Sequence, residues 1–449
     1  MSTETIHVVG GGLVGTLTAI FLAQYGFRVK LYEARPDMRK EKISAGRSIN
    51  LVVTPRGLVA LDKVGLQEKV LEIATPLEGR MLHDKDGTET YVQYGSKEGE
   101  VINAVSRGLL NQLLLEAADV YDNLDIHFRR RCIDYNVDTR KLTFMNEGTG
   151  QEENVDTHIV IGTDGAFSAI RRVMLDNVKN FNYAQSFLEH GYKELVIPAA
   201  EDGKHLLQNG ALHIWPRGDY MLIGIPNLDG SFTCTLFLGY EGQDSFERLK
   251  TKDDVEAFFK TNFADAIPLM PTLVEDFFNN PTGALATVKC APWNIGGQTM
   301  LMGDAAHAIV PFYGQGMNCG FEDCTALGEL LESGERDWNK IFSALSTSRK
   351  PNTDAIADMA IENFVEMRDT TADPKFQLKK QVGFELENRF PDKFIPRYSM
   401  VMFHPEIPFA EAKRLSEIQE TMLDELCANI NSPDDIDWDK AEQMVKNLN

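Results

Sequence analysis

Cysteine is scarce in this chain, and its distribution argues against two kinds of protein. The cysteines are Cys132, Cys234, Cys290, Cys319, Cys324 and Cys427, scattered over 449 residues. No two of them form a C-x-x-C pair, so neither a disulfide framework nor a thioredoxin-like redox motif is expected. The histidines show no H-x-x-x-H spacing and no paired Cys/His cluster. We therefore expect buried, reduced thiols and no metal site.

Long apolar runs and an excess of positive charge are also missing. Nothing approaches 18 consecutive apolar residues, and the amino terminus lacks the order of a signal peptide. Acidic residues outnumber basic ones by 67 to 45, for a net charge of −22, so nucleic acid and anionic membranes would be repelled. These absences predict a soluble, cytoplasmic protein that acts on a small molecule. A homodimer stays open.

The chain begins with a glycine fingerprint. An apolar strand over residues 6–9 runs into Gly10, Gly12 and Gly15, which fit G-x-G-x-x-G. In this pattern the first glycine allows a tight turn, the second lets the backbone approach a pyrophosphate, and the third lets helix and strand pack closely. A second strand ends at Glu33, whose carboxylate can accept both hydrogen bonds of an adenosine ribose. The segment predicts a dinucleotide site, with FAD and NAD both open.

Two later segments also place turns after short apolar strands. The run 158–162 is followed by Thr163-Asp164-Gly165, and the run 299–302 by Gly303-Asp304. Asp304 at a strand end can accept a hydrogen bond from a ribityl or ribose hydroxyl. Downstream, Gly314 and Gly316 allow a backbone to approach a flat ring before a helix whose free N–H groups favour negative charge.

The rest of the chain predicts an interrupted α/β domain. A helix is expected from Pro55 to about Ile73, and another from Arg107. Between about 185 and 285, alternation of apolar and polar residues predicts antiparallel strands near 191–197, 211–215, 220–225 and 231–238. The two-residue repeat puts Ile223 with Ile225, and Thr235 with Phe237, on shared faces. Ordinary core and a ligand-facing wall both remain open for them. Beyond about 340 the chain is predicted to be mainly helical.

Taken together, the three strand-end motifs resemble those of the FAD-dependent aromatic hydroxylases, the single-component flavoprotein monooxygenases. The resemblance implies an α/β fold with a Rossmann-like FAD-binding domain, an antiparallel-sheet substrate domain and a C-terminal helical region. We expect the FAD-binding domain to be discontinuous, over 1–184 and 285–345. The substrate sheet would then occupy 185–284, and a helical region over 346–449 would complete the substrate site.

The likeness is strongest to soluble bacterial members of that family and spans about residues 5–425. The segments that carry it are 46–51, 190–195, 212–216, 226–228, 231–237, 311–318, 363–367 and 394–400. We expect no membrane anchor of the eukaryotic kind, and Tyr313 stands where members carry Phe or His.

The resemblance implies a cofactor set and a substrate set. The cofactor set for bound FAD is Gly10, Gly12, Leu13, Val14, Gly15, Glu33, Arg35, Val53, Arg107, Asp164, Gly165, Asp304, Gly314, Gly316, Met317 and Asn318. A substrate carboxylate would be held by Arg80, Tyr94, Asn363 and Tyr398. The aromatic end would rest on Ile223, Ile225, Phe237, Pro311 and Phe312, with Met367 nearby. No protein group is expected to be catalytic, and His307 is interpreted as a structural hydrogen-bonder.

The implied activity is hydroxylation of L-kynurenine to 3-hydroxykynurenine with NADPH and O₂, through a flavin C4a-hydroperoxide. This reaction belongs to the kynurenine pathway of tryptophan catabolism, which leads to NAD biosynthesis. Preference for NADPH comes from the resemblance alone. Two alternatives remain: a flavin hydroxylase of another aromatic acid, and a non-enzymatic binding protein like the GDP-dissociation inhibitors.

Overall fold

The computed structural model describes residues 4–41, 50–95, 97, 99–366 and 374–448. The chain forms two compact units. The first contains Met1–Ala74, Val105–Leu188 and Ala284–Ala357, and the second contains Thr75–Ala104, Glu189–Gly283 and Asp358–Asn449. Residues 75–104, which are expected in the FAD-binding domain, group with the second unit. The reason is a strand pairing between residues far apart in sequence, described below.

The strands are numbered in chain order. They are β1 (Thr5–Val9), β2 (Arg28–Tyr32), β3 (Asn50–Val53), β4 (Ala74–Leu77), β5 (Gly79–His83), β6 (Glu89–Gln93), β7 (Ile102–Ser106), β8 (Leu124–His127), β9 (Arg130–Asn136), β10 (Lys141–Asn146), β11 (Gln151–Asp156), β12 (Ile159–Gly162), β13 (Asn182–Ile197), β14 (Ala211–Pro216), β15 (Met221–Pro226), β16 (Phe232–Gly239), β17 (Gly283–Ala291), β18 (Asn294–Ile295) and β19 (Thr299–Leu301).

The helices are numbered in the same way. They are α1 (Leu13–Gln24), α2 (Pro55–Lys63), α3 (Gln67–Glu72), α4 (Arg107–Ala118), α5 (Ala169–Asn177), α6 (Lys252–Asn262), α7 (Leu273–Asn279), α8 (Asp304–His307), α9 (Gly316–Glu332), α10 (Trp338–Val365), α11 (Pro374–Arg389), α12 (Arg397–Phe403), α13 (Phe409–Leu426) and α14 (Trp438–Lys446).

The first unit is built on a mostly parallel sheet in the order β18-β19-β12-β1-β2-β8. Strand β1 pairs in parallel with β2 on one side and β12 on the other, and β12 pairs in parallel with β19. The central strands are almost wholly buried, as expected for a parallel sheet covered on both faces. The predicted Rossmann-like architecture is confirmed, including the return of the chain to this sheet after residue 284.

One predicted helix is broken. The expected helix over Pro55–Ile73 is divided into α2 and α3. Gly65, between them, adopts a φ of +68°, which a right-handed helix cannot contain. Apolar spacing continues across the break, so periodicity alone does not reveal it.

The second unit contains a sheet in which β13, β16, β15, β14, β5 and β6 are successive neighbours. The predicted antiparallel sheet is confirmed: β13 pairs with β16, β16 with β15, and β15 with β14, all antiparallel. An unpredicted parallel pairing joins β5 to β14 and places Arg80 beside Leu212. This pairing adds residues 79–83 to the substrate-domain sheet.

The two faces of this sheet have different roles. Alternate residues such as Leu222 and Leu236 pack into a buried cluster that includes Phe259 of α6 and Phe277 of α7, two helices that the alternation does not predict. Because successive side chains on a strand point to opposite faces, Ile223 and Thr235 face away from that cluster. The sheet therefore has one face that forms core and one that is available for another purpose.

A separate buried cluster joins α11, α13 and α14 through residues such as Val382, Met422 and Val445. None of the helices in the described part of the chain combines the length and apolar composition needed to cross a bilayer. Five cysteines are buried, Cys132 is half-buried, and all six are free thiols.

Candidate active site

The three glycine and aspartate motifs meet at one edge of the parallel sheet. In register, Val9 lies beside Gly162, and Gly162 lies beside Leu301, so β1, β12 and β19 end at the same level. The sheet reverses its order of connection between β1 and β12, and ligands of open α/β sheets bind outside the carboxyl ends of strands at such a point. The fold thus brings together segments about 150 residues apart in sequence.

Gly10 and Gly15 are required by the backbone of this edge. Gly10 has a φ of +106°, and an added Cβ would lie 2.4 Å from the carbonyl oxygen of Thr163. At Gly15 an added Cβ would lie 1.8 Å from the carbonyl oxygen of Gly10. The Thr163 hydroxyl donates to the carbonyls of both Val9 and Gly10, at 2.9 Å each. The first and third glycines therefore permit close packing of β1, α1 and β12.

Gly12 differs, because an added Cβ there would meet nothing within 4 Å. It is partly exposed and precedes α1, where the helix offers free backbone N–H groups. Nearby, the Glu33 carboxylate accepts from the Gly11 amide at 2.9 Å and from the Arg35 Nε at 2.8 Å. A helix terminus with open space and a fixed carboxylate fits the pyrophosphate and ribose of a dinucleotide.

Asp164, which is predicted to contact the cofactor, has a carboxylate that is engaged within the protein. Its carboxylate accepts from the Ser168 hydroxyl at 2.5 Å and from the amides of Ala169 and Ile170 at 2.7 and 3.3 Å. Both oxygens are thus engaged at the start of α5. Asp164 fixes the turn before that helix, and a direct bond from its side chain to a cofactor remains a prediction.

At the end of β19, Asp304 is exposed and opens α8. Val14 of the first motif packs against this turn, because its methyl carbons lie 3.1 Å from the position of a Cβ at Gly303. Gly314, Gly316 and Met317 follow, all partly exposed, at the start of α9. An accessible carboxylate beside a helix amino terminus suits a polyol chain and an anionic ring.

Asn318 is fully buried and joins several of these segments. Its side-chain amide donates to the carbonyls of Val52 and Gly314, at 2.8 and 3.0 Å, and its Oδ1 accepts from the Thr54 amide at 3.0 Å. The side chain therefore links α9 to β3 and to the start of α2. A cofactor contact of Asn318 would use its backbone.

The remaining predicted cofactor residues lie in the first unit. Leu13 and Val53 are buried, whereas Arg107, at the start of α4, is exposed. Gly165, after Asp164, is partly exposed. The motif over 46–49 lies outside the described residues. The strand-end glycines, the open space at Gly12 and the carboxylates at the ends of β2 and β19 fit FAD.

In the second unit, Arg80, Tyr94 and Tyr398 form one cluster. The Arg80 guanidinium carbon lies 5.1 Å from the Tyr94 ring centroid and 4.7 Å from that of Tyr398. The two rings are stacked, with centroids 5.7 Å apart and an interplanar angle of 8°. Burial raises the pKa of both tyrosines above the ordinary value, so their hydroxyls stay protonated. A guanidinium and two phenols suit a carboxylate ligand.

Asn363 lies at the end of α10, and ion pairs bring Tyr398 to this helix end. Arg397, the residue before Tyr398, pairs with Glu362 at 2.9 Å and with Glu366 at 2.8 Å. Asn363 is buried beside these acidic residues in sequence. Three of the four residues predicted to hold the carboxylate thus form a cluster, and the fourth lies on the helix end to which α12 is tied. Met367 lies outside the described residues.

Arg80 shares its sheet face with the predicted apolar residues. His83, on the opposite face of β5, stacks on Trp215 with ring centroids 4.1 Å apart, and Trp215 belongs to the core cluster under the sheet. Arg80 therefore faces away from that core, as do Ile223, Ile225 and Phe237. Pro311 and Phe312 lie in the first unit, in a short helical turn that ends at Gly314.

A second cation, Lys380, lies near Arg80. Burial, and to a lesser degree the positive charge of Arg80, lowers the pKa of Lys380 to about 8, against the opposing charge of Glu366. No motif marks it, because α11 is about 300 residues away from β5 in sequence. Among the described side chains, no group of His, Cys, Asp or Glu could hold a metal ion.

The fold and the strand-end site define an FAD-dependent flavoprotein of the monooxygenase type. The family model described as FAD binding domain matches residues 2–359. The fold is similar to that of 2-methyl-3-hydroxypyridine-5-carboxylic acid oxygenase, with a TM-score of 0.67 at 20% identity, covering 83% of this chain and 95% of that one. A p-nitrophenol 4-monooxygenase from Pseudomonas putida has a TM-score of 0.64 at 18% identity, covering 86% of this chain and 95% of that one.

Sequence relatives narrow this class. A kynurenine 3-monooxygenase of Myxococcus xanthus is 48% identical over 443 residues, 99% of this chain and 95% of that protein. One from Dictyostelium discoideum is 41% identical over 460 residues, 99% of this chain and 98% of that protein. The chain belongs to the kynurenine 3-monooxygenase family.

Proposed function

We propose that this protein hydroxylates L-kynurenine to 3-hydroxykynurenine, with NADPH as reductant and O₂ as oxidant. The observation that carries the proposal is the Arg80, Tyr94 and Tyr398 cluster, which shares a sheet face with apolar side chains. This pairing of a carboxylate-binding group with an apolar surface matches an amino acid that carries an aromatic ring. Relatives named for this reaction, at 40–48% identity, support the proposal.

The Arg80 guanidinium would grip the substrate carboxylate with two parallel charge-assisted hydrogen bonds. Because Tyr94 and Tyr398 stay protonated, their hydroxyls can donate to the same carboxylate. The stacked rings restrict the guanidinium, so less conformational entropy is lost on binding. These three residues would fix one end of the substrate.

The apolar face would hold the aniline ring and exclude water. Ile223, Ile225 and Phe237 offer dispersion contacts and no hydrogen-bonding side chain. An amino group donates electron density to its ortho carbon, which makes that carbon the preferred site of attack by an electrophilic oxygen. With the substrate carboxylate held by Arg80, the protein would need only to orient this ortho carbon toward the electrophilic oxygen.

FAD, when bound, supplies electron transfer from the reductant and the activation of O₂. The residues that would hold it are Gly10, Gly12 and Glu33 at the adenosine end, with Asp304 and the start of α9 at the ribityl and ring end. The free N–H groups of α9 favour negative charge on the ring. The described residues contain no second dinucleotide fold, so the use of NADPH rests on the family resemblance.

The deciding experiment is product analysis after incubation with L-kynurenine, NADPH and air. We expect yellow protein with bound FAD, NADPH oxidation stimulated by L-kynurenine, and 3-hydroxykynurenine as product. A flavoprotein that oxidises NADPH only with another aromatic acid would make the substrate assignment wrong. A protein purified without flavin and unable to take it up would favour a binding protein on the same fold.

Lys380 gives the proposed site a pH dependence. Because its pKa is lowered to about 8, it loses its charge as the pH rises through that value, and attraction for a carboxylate weakens. We expect the dissociation constant of L-kynurenine to rise about fivefold between pH 7 and pH 9, as loss of a partly buried charge implies. A Lys380→Gln variant should bind more weakly at pH 7 and show a flatter profile.

The adjacent Lys379 provides the control, because it pairs with Glu420 and Asp424 at 2.6 Å each. Titration of the substrate amine is common to all variants and cancels in the comparison. If the dissociation constant of L-kynurenine changes with pH in the same way for the parent, Lys380→Gln and Lys379→Gln, Lys380 does not contribute to the site.

A further inference from the structure

Behind the Gly303-Asp304 turn lies a buried cluster of charged side chains that the proposed function does not use. Its centre is Asp323 on α9, which has no exposed surface. One carboxylate oxygen accepts from the Gly303 amide at 3.0 Å and lies 2.6 Å from His307 Nε2. The other accepts from Arg349 Nε at 2.8 Å. Asp323 therefore joins the turn after β19 to α8, α9 and α10.

The partners of Asp323 are themselves fixed. Arg349 also donates to the Cys319 carbonyl at 3.0 Å and pairs with Glu322 at 2.8 Å. Glu322 in turn pairs with Arg56 of α2 at 2.7 Å, and Arg56 is 1% exposed. A guanidinium held by three acceptors has little freedom to move, so the carboxylate of Asp323 is held in one position.

The charges of this cluster support its geometry. Burial disfavours ionised Asp323, but the charges of His307 and Arg349 outweigh it and lower the carboxyl pKa. Burial also disfavours the charged form of His307 and by itself would lower its pKa. The negative charge of Asp323 outweighs burial and raises the pKa of His307 well above the ordinary value. Asp323 is thus ionised when it accepts from Gly303, and a charge-assisted bond is stronger than a neutral one.

We propose that Asp323, held by Arg349 and His307, is a positioning residue for FAD: it fixes the Gly303 amide and so aims Asp304 at the cofactor. Gly303 immediately precedes Asp304 in the turn after β19, so a shift of its amide would move the exposed carboxylate that follows. The cluster contributes no surface to the cofactor and acts only through the turn. This inference requires FAD binding alone and does not depend on the identity of the substrate.

The test compares Asp323→Asn with the parent and with Glu332→Gln. The asparagine keeps the shape but turns one acceptor into a donor, which must face one of the three donors around Asp323. We expect the apoprotein to fold and its FAD dissociation constant, measured by quenching of flavin fluorescence, to rise about tenfold or more. Glu332, an exposed carboxylate on the same helix paired with Lys63, should leave binding unchanged.

Visible circular dichroism at saturating FAD supplies a second readout, because it reports the surroundings of the flavin ring. We expect a changed flavin band in Asp323→Asn. If that variant does not fold, Arg349→Lys decides, since it keeps the charge and loses part of the hydrogen bonding, and we expect about threefold weaker FAD binding. A lowered melting temperature with FAD affinity within twofold of the parent and an unchanged flavin band would show that the cluster only supports packing.

Discussion

A Gly12→Ala variant is expected to fold normally and to lose FAD. An added Cβ at this position meets nothing within 4 Å, so the apoprotein should keep its melting temperature. The same methyl group would stand where the backbone must approach a pyrophosphate. We expect the FAD dissociation constant to rise about a hundredfold, as loss of close phosphate contacts implies. Titration of the apoprotein with FAD, followed by flavin fluorescence, measures this.

Two further glycine substitutions serve as controls for Gly12→Ala. Gly210→Ala adds a methyl group in open space ahead of β14, and we expect neither stability nor FAD binding to change. Gly15→Ala places its methyl group 1.8 Å from the Gly10 carbonyl oxygen, so we expect loss of stability together with loss of FAD. Unchanged FAD affinity in Gly12→Ala would mean that the pyrophosphate does not approach this turn.

Arg80→Ala is expected to weaken L-kynurenine binding by about 30-fold to 5,000-fold, because truncating one partner of a buried charge pair costs about 2–5 kcal/mol. FAD affinity should stay at the parental value, since Arg80 belongs to the second unit and the strand-end motifs to the first. Substrate titration monitored through the flavin spectrum gives both quantities in one preparation.

Arg80→Lys is the matched variant for this position. A lysine keeps the charge but cannot grip a carboxylate with two parallel bonds or stack as a planar group, so we expect only partial recovery. Tyr398→Phe, which keeps the ring and removes the hydroxyl, should weaken binding by about tenfold. Parental substrate affinity in both Arg80→Ala and Tyr398→Phe would refute the carboxylate site.

The nucleotide-binding half of the fold could be predicted from the sequence because its signals are local. A strand, a glycine turn and a helix lie within about 20 residues around Gly10, Gly12 and Gly15, and each residue type has its own physical reason. The antiparallel strands of the second unit could also be predicted, because the alternation of apolar and polar residues depends only on neighbours in the sequence. Both predictions are confirmed by the strand pairing.

The features that escaped prediction depend on contacts between distant residues. The parallel pairing of β5 with β14 joins residues about 130 apart in sequence, and no sequence pattern near Arg80 predicts it. Asp323 and Lys380 lie in ordinary helical sequence, and only the folded chain shows what surrounds them. The domain boundaries and the individual roles of the site residues stay predictions.

The alternation along β15 and β16 separates two kinds of mutational consequence. Even-numbered positions such as Leu222, Leu236 and Leu238 are core residues, so changes there should be read as losses of folded protein. Odd-numbered positions such as Ile223, Ile225 and Phe237 lie on the other face, which the proposed function assigns to the aromatic ring of the substrate, so we expect changes there to alter which ring is accepted. We therefore expect changes at the odd-numbered positions to alter substrate range with a smaller loss of stability than changes at the even-numbered ones. Libraries confined to the odd positions are the natural starting point for redesigning which aromatic compound this scaffold accepts.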